Sequence, residues 1–213
     1  MQFRITKKLF NGIYQYKIVL TCAGSSLFRH NDLDSVYKSL TEISLPGQPR
    51  QSQFGGYRSA GISTPSELTY ALQLHKALSK MSDIDIRVES PWLSIYSNNL
   101  ADINTLAKID NTHVKYISKP PDNTILDSGT VIMPKMNYDF RITLGKTTQE
   151  HSAFIQWAES NKKLRLTKSC IRDLEKPRSW GGTHFYVTGD NNLLMAKMHL
   201  GGSISKVERI VKN

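Results

Sequence analysis

The chain has 213 residues, with 28 Lys and Arg against 18 Asp and Glu, giving a formal charge of +10. A hydrophobic share of 39% beside 22% charged residues is a folded composition and excludes a disordered chain. No apolar run reaches the roughly 18 residues of a membrane span, and the first ten residues alternate apolar with basic, unlike a secretory signal.

The cysteines, Cys22 and Cys170, form neither a disulfide framework nor a four-ligand zinc site. The expectation is a reduced, cytoplasmic protein without metal or cofactor. Residues 1–120 and 121–213 each carry 14 basic and 9 acidic residues. The positive potential therefore belongs to folded surface and not to a tail. Such a surface attracts polyanions, nucleic acid foremost.

In chain order, Phe3, Ile5 and Leu9 approach Asn11-Gly12, and Tyr14, Tyr16, Ile18 and Leu20 leave it at period two. Asn-Gly supplies the two positive-φ residues of a type I′ turn, so the spacing predicts an N-terminal β-hairpin. A helix follows Asn31, with Leu33, Val36, Tyr37 and Leu40 on one stripe. Residues 44–63, rich in Gly, Pro, Ser and Gln, read as a long loop. Thr64-Pro65-Ser66-Glu67 is a capping box opening a helix through Leu78. His75 lies on the apolar stripe of that helix, at the core or its boundary. Strands follow at Ile84–Val88 and Leu93–Ile95, then a helix capped by Asn98 or Asn99, then a strand at Val114 and Tyr116. Residues 121–129 read as a linker.

The second part repeats this plan. Tyr138 to Leu144 alternates as a strand, and a helix begins near Thr148 or Gln149. Strands follow at Leu164–Leu166 and Phe185–Val187. Asp190 caps a helix that stops at Gly201-Gly202, and an irregular strand from Ile204 to Val211 ends the chain. At an offset of 124, Tyr14, Tyr16, Ile18 and Leu20 fall on Tyr138, Phe140, Ile142 and Leu144. Both parts run strand, helix, strand, strand, helix, strand.

That order resembles the ferredoxin-like split βαβ. It implies an α+β protein of two tandem units, 1–120 with an insertion at about 21–63, and 130–213. In this architecture helices cover one sheet face and leave the other open. Period two then sorts each strand. The first unit would show Lys17, Arg87, Trp92, Ser94, Tyr96, His113 and Lys115 on the open face. The second would show Arg141, Thr143, Lys163, Arg165, His184, Tyr186 and Lys206.

The element order and face chemistry are similar to RNA-recognition-motif domains, which stack bases on aromatics and hold phosphates with cations. His184 to Asp190 departs from their consensus run. Phosphate contact would fall to Lys17, Arg87, Lys115, Arg141, Lys163, Arg165 and Lys206, and stacking to Tyr96, Tyr186 and Trp180. Two Gly-Gly loops add Arg58 beside Phe54, and Arg178 beside Trp180, each with an alternative role as a plug over a sheet end.

The expected function is binding of RNA or single-stranded DNA without catalysis. Two alternatives stand beside it. One is a structural component of a viral particle or multi-subunit assembly, or a homo-oligomer, with the sheets packed on a partner. The other is a metal-independent endoribonuclease similar in architecture to CRISPR repeat-processing enzymes. There His30 would deprotonate a ribose 2′-hydroxyl, with Tyr37 or Lys38 stabilising charge. Phosphate-loop, dinucleotide-binding and H-E-x-x-H spacings are absent from the sequence.

Overall fold

A computed structural model describes residues 2–43, 61–122 and 124–212. Arg58 and the glycine pair before it lie outside the described residues. The chain divides into two compact units, Met1–Leu126 and Asp127–Asn213.

In the first unit, strands β1 (Phe3–Ile5) and β2 (Tyr16–Thr21) precede a short 3-10 turn at Ser25–His30 and helices α1 (Leu33–Ile43) and α2 (Pro65–Leu78). Strands β3 (Ile84–Glu89) and β4 (Trp92–Ser97), helix α3 (Leu100–Ile109) and strand β5 (Val114–Lys119) follow. The sheet order is β1-β5-β2-β4-β3, with β1 parallel to β5 and the remaining pairs antiparallel.

The second unit holds β6 (Thr130–Ile132), β7 (Phe140–Leu144), α4 (Ser152–Ser160), β8 (Leu164–Leu166), α5 (Lys168–Leu174), β9 (His184–Val187), α6 (Asp190–Leu200) and β10 (Ile204–Val211). Its order is β6-β10-β7-β9-β8, again with one parallel edge pair, β6 on β10. Two five-stranded mixed sheets with helices on one face are compatible with two ferredoxin-like units, each extended by an edge strand.

The local signals explain the elements. Thr64 accepts from the Glu67 amide while the Glu67 carboxylate accepts from the Thr64 amide, the reciprocal cap expected of this spacing. Asn99 caps α3 by accepting from the Ala101 amide. Helix α4 starts later than Gln149, after His151. Helix α5, absent from the sequence expectation, is capped by the Thr167 hydroxyl accepting from the Cys170 amide.

The apolar set of each sheet faces its helices. Ile18, Leu20, Ile86, Leu93, Ile95 and Ile117 join α1, α2 and α3 residues in one core. Ile142, Leu144, Phe185 and Val187 join α4, α5 and α6 residues in the other. Cys22 and Cys170 are buried free thiols, each pushed up to about 12, chiefly by burial.

The N-terminal hairpin is corrected. Asn11 and Gly12 do take positive φ of 52° and 76°, and Phe10 bridges Tyr14 across them. Yet Phe3–Ile5 pairs with Ile117–Lys119 at the sheet edge, not with β2. A turn dipeptide fixes a local reversal, whereas strand pairing is settled by the longer-range partner.

Candidate nucleic-acid interface

Period two places most of the expected residues on the face away from the helices, with β5 as the exception: His113 precedes the strand and stacks on Tyr70 of α2, and Tyr116 faces Arg4 and Lys17. This face is not open at its centre. In the first unit the segment between β1 and β2 crosses it. Phe10 and Tyr14 set their rings 5.7 and 6.1 Å from that of Tyr96, which is 4% exposed. The crossing is tied down by polar contacts: the Asn11 amide donates to Asp85, the Gln15 amide nitrogen donates to the Leu126 carbonyl, and the Gln15 backbone donates to Asn98.

The second unit repeats the arrangement. Tyr138 lies 5.7 Å from Tyr186, which is 6% exposed, and Val131, Met133, Met136 and Ile210 complete a small apolar cluster. Tyr96 and Tyr186 are therefore anchors for their own chain and offer no free ring to a base. Sequence spacing placed these residues on the right face but carried no sign that the preceding segment folds over them.

The cations divide into held and free. In the second unit Glu208 on β10 is fully buried at the centre of the face. The Arg141 guanidinium donates to its Oε2 through Nε at 2.8 Å, with Nη2 paired to the same oxygen, and the Lys206 ammonium sits 2.8 Å from Oε1. Burial pulls the Glu208 carboxyl up, but these hydrogen bonds and charges outweigh it and hold it below the ordinary carboxylate range. Arg141 and Lys206 are thus structural partners of a buried carboxylate, not cations awaiting phosphate. Glu208 was missed, although it stands two residues after Lys206 in a strand and period two puts it on the same face. His184, beside Tyr186 on that face, is pushed down by burial and then by the Arg141 charge.

Other cations reach solvent. Arg165 on β8, the outer strand of the second sheet, and Lys163 just before that strand are both exposed. Arg178 is exposed in the loop before β9. Arg87 pairs with Glu89 at 2.8 Å, both largely exposed, an arrangement of little energetic weight.

In the first unit aromatics and cations alternate. The Arg4 guanidinium lies 3.8 Å above the Tyr116 ring, and the Lys17 ammonium sits between Tyr116 and Tyr96 at 5.8 and 5.4 Å. The Lys115 ammonium stands 3.3 Å over Trp92. A register shift opposite Val19 and Leu20 lets Lys115 reach that ring although Ile117 faces the core. His113 is withdrawn from this set: its Nδ1 bonds the Thr21 carbonyl and its ring stacks on Tyr70 at 3.9 Å. In the second unit Trp180 is 89% exposed and the Lys146 ammonium lies 5.4 Å from its ring. Trp180 is therefore no plug.

His30 is exposed at the end of the Ser25–His30 turn, and among the described residues no hydrogen bond or ion pair engages its ring. Tyr37 stacks on His75 at 5.4 Å. Among the described residues no group of three or more His, Cys, Asp or Glu is placed to hold a metal, and no helix is long and apolar enough to cross a membrane. Compared with protein-family models, with curated proteins and with solved structures, the chain finds no significant match in any of the three.

Proposed function

We propose that the chain is a tandem pair of ferredoxin-like units that binds RNA or single-stranded DNA. The observation that carries this reading is a repeated pair. Each unit holds a solvent-exposed tryptophan beside a lysine ammonium, Trp92 with Lys115 and Trp180 with Lys146. An aromatic face for a base next to a cation for a phosphate is the combination that single-strand binders use. The +10 charge, spread over both units, supplies the long-range attraction. The strand orders, with β2 between β4 and β5 in one unit and β7 between β9 and β10 in the other, support the ferredoxin-like part of the reading.

The buried tyrosines at the sheet centres, Tyr96 and Tyr186, take no part in contact. Binding falls instead to Arg4, Lys17, Trp92 and Lys115 on one unit, and to Lys146, Lys163, Arg165, Arg178 and Trp180 on the other. The test is fluorescence anisotropy with labelled single-stranded RNA, single-stranded DNA and duplex DNA at two salt concentrations. The double variant Lys115→Glu with Arg165→Glu is expected to weaken single-strand binding about tenfold or more, and to lower the salt slope by about two, one per lost phosphate contact. Unchanged affinity in that variant removes both surfaces from the interface. RNA cleavage that disappears in His30→Ala would replace the reading with the nuclease one.

The assembly reading keeps one specific support. Helix α6 presents Leu194, Met195 and Met198 to solvent on neighbouring turns, a feature that marks association surfaces when it is extended. A solution mass above that of one chain, lowered by Met198→Lys, favours that reading.

A further inference from the structure

The loop between α5 and β9 holds Trp180 in a fixed place while leaving its ring in water. Ser179 and Thr147 exchange backbone hydrogen bonds at 2.9 and 3.2 Å, the Gly181 amide donates to the Ser179 hydroxyl, and the Gly182 amide donates to the Leu144 carbonyl at 2.8 Å. Trp180 therefore sits between backbone anchors on both sides.

Gly181 makes this possible. It has a φ of +74°, and a Cβ there would lie 2.1 Å from the Gly145 carbonyl oxygen and 2.4 Å from its carbon. Only glycine allows the loop to close this tightly on β7's end. A large apolar ring held by such anchors and still 89% exposed gains nothing from its own fold. The other tryptophans differ. Trp157 packs against Phe154 and His199, and Trp92 is 39% exposed with an ammonium directly over its ring.

The surroundings indicate the chemistry of the partner. Lys146 lies at the ring and Arg178 is exposed two residues before it. Of the two acids earlier on the same stretch, Asp173 accepts a hydrogen bond from the Thr183 hydroxyl, whereas Glu175 ends α5 through its backbone amide, which donates to the Ile171 carbonyl, and leaves its carboxylate exposed.

We propose that Trp180 is a preformed stacking platform for one unpaired base, with Lys146 and Arg178 meeting the flanking phosphates. This deepens the nucleic-acid reading and rests on it. In a duplex both faces of each base are already stacked and only edges are offered, so a lone indole at a loop tip selects single strands. Because the loop is fixed before the ligand arrives, little ordering is needed on binding.

The experiment uses the full chain with three probes: a labelled single-stranded 15-mer, a duplex of the same sequence, and inorganic polyphosphate, which has the charge but no bases. Trp180→Ala is expected to weaken single-strand binding about tenfold, as the loss of one stacked base does. Duplex and polyphosphate binding should change less than twofold, and Trp180→Phe should retain most of the affinity. Gly181→Ala should reproduce the selective loss by displacing the ring, with thermal unfolding confirming that the protein remains folded. Single-strand affinity unchanged in Trp180→Ala, while the wild type still binds, overturns the platform and leaves the nucleic-acid reading standing. Equal losses on all three probes also overturn it. If the wild type binds none of the probes at low salt, the functional reading fails first.

Discussion

Arg141→Met is expected to cost about 3 kcal/mol of stability, because it leaves Glu208 buried with one of its two cations gone. The residual partner, Lys206, has a side chain about half exposed and cannot replace a two-point guanidinium contact. The effect should depend on pH with a definite sign. In the native protein Glu208 titrates below the ordinary carboxylate range. Its contribution is therefore present above the unfolded carboxyl pKa and is lost as pH falls through the folded one.

Removing Arg141 leaves burial opposed by Lys206 alone, so the carboxyl takes a proton more readily. The deficit of the variant should be largest near neutral pH and should shrink as pH is lowered through the carboxylate range. Adding Glu208→Leu to Arg141→Met should restore more than half of the loss, since an apolar pair replaces the broken ionic one. Urea denaturation at pH 7 and pH 4 measures both effects. A loss below about 1 kcal/mol at pH 7 would mean that the ion pair is worth no more than an ordinary surface contact. A charge reversal at Arg141 consequently reports on folding and says nothing about phosphate contact.

Tyr96→Ala and Tyr186→Ala should each lower stability by about 3 kcal/mol, in the range of large-to-small substitutions in a packed cluster. Each ring is sandwiched under its own chain, Tyr96 beneath Phe10 and Tyr14, Tyr186 beneath Tyr138. Nucleic-acid affinity, measured on the fraction still folded, should change little. Trp180→Ala should behave in the opposite way, with stability within about 0.5 kcal/mol of the wild type, as for exposed sites. The contrast between buried tyrosines and an exposed tryptophan tests the geometry of the whole interface. A Tyr186→Ala protein of unchanged stability but collapsed affinity would restore the sheet centre as the binding surface.

The covering segments have a shared design. Each unit sends a short parallel strand to the outer edge of its sheet, then crosses the helix-free face before entering its central strand. The crossing ends on a tyrosine at equivalent positions, Tyr14 and Tyr138. The constant offset between the two first strands therefore extends to the residues that close the faces. Burial of these rings leaves Trp92 and Trp180, with the peripheral lysines and arginines, as an accessible mixture of aromatic and cation.

The local grammar of the chain was legible by itself. Period two located most of the strands and sorted their side chains between faces, but it missed β6 and mis-sorted β5, where a register shift turns Tyr116 to the helix-free face. Caps at Thr64 and Asn99, and the Asn11-Gly12 turn, were visible because each acts over a few residues of backbone. The cationic and aromatic inventory of each unit was equally plain. The tertiary structure alone decided which of those residues are available. Arg141 meets Glu208 across 67 residues of chain, and Tyr14 finds Tyr96 only after β2 and β4 pair. Such partners are set by sheet register and by where a crossing segment lands, and neither leaves a periodic trace in sequence. Burial of the tyrosines, capture of Arg141 and isolation of Trp180 in solvent follow from that long-range placement, which is why the face could be drawn from sequence and its use could not.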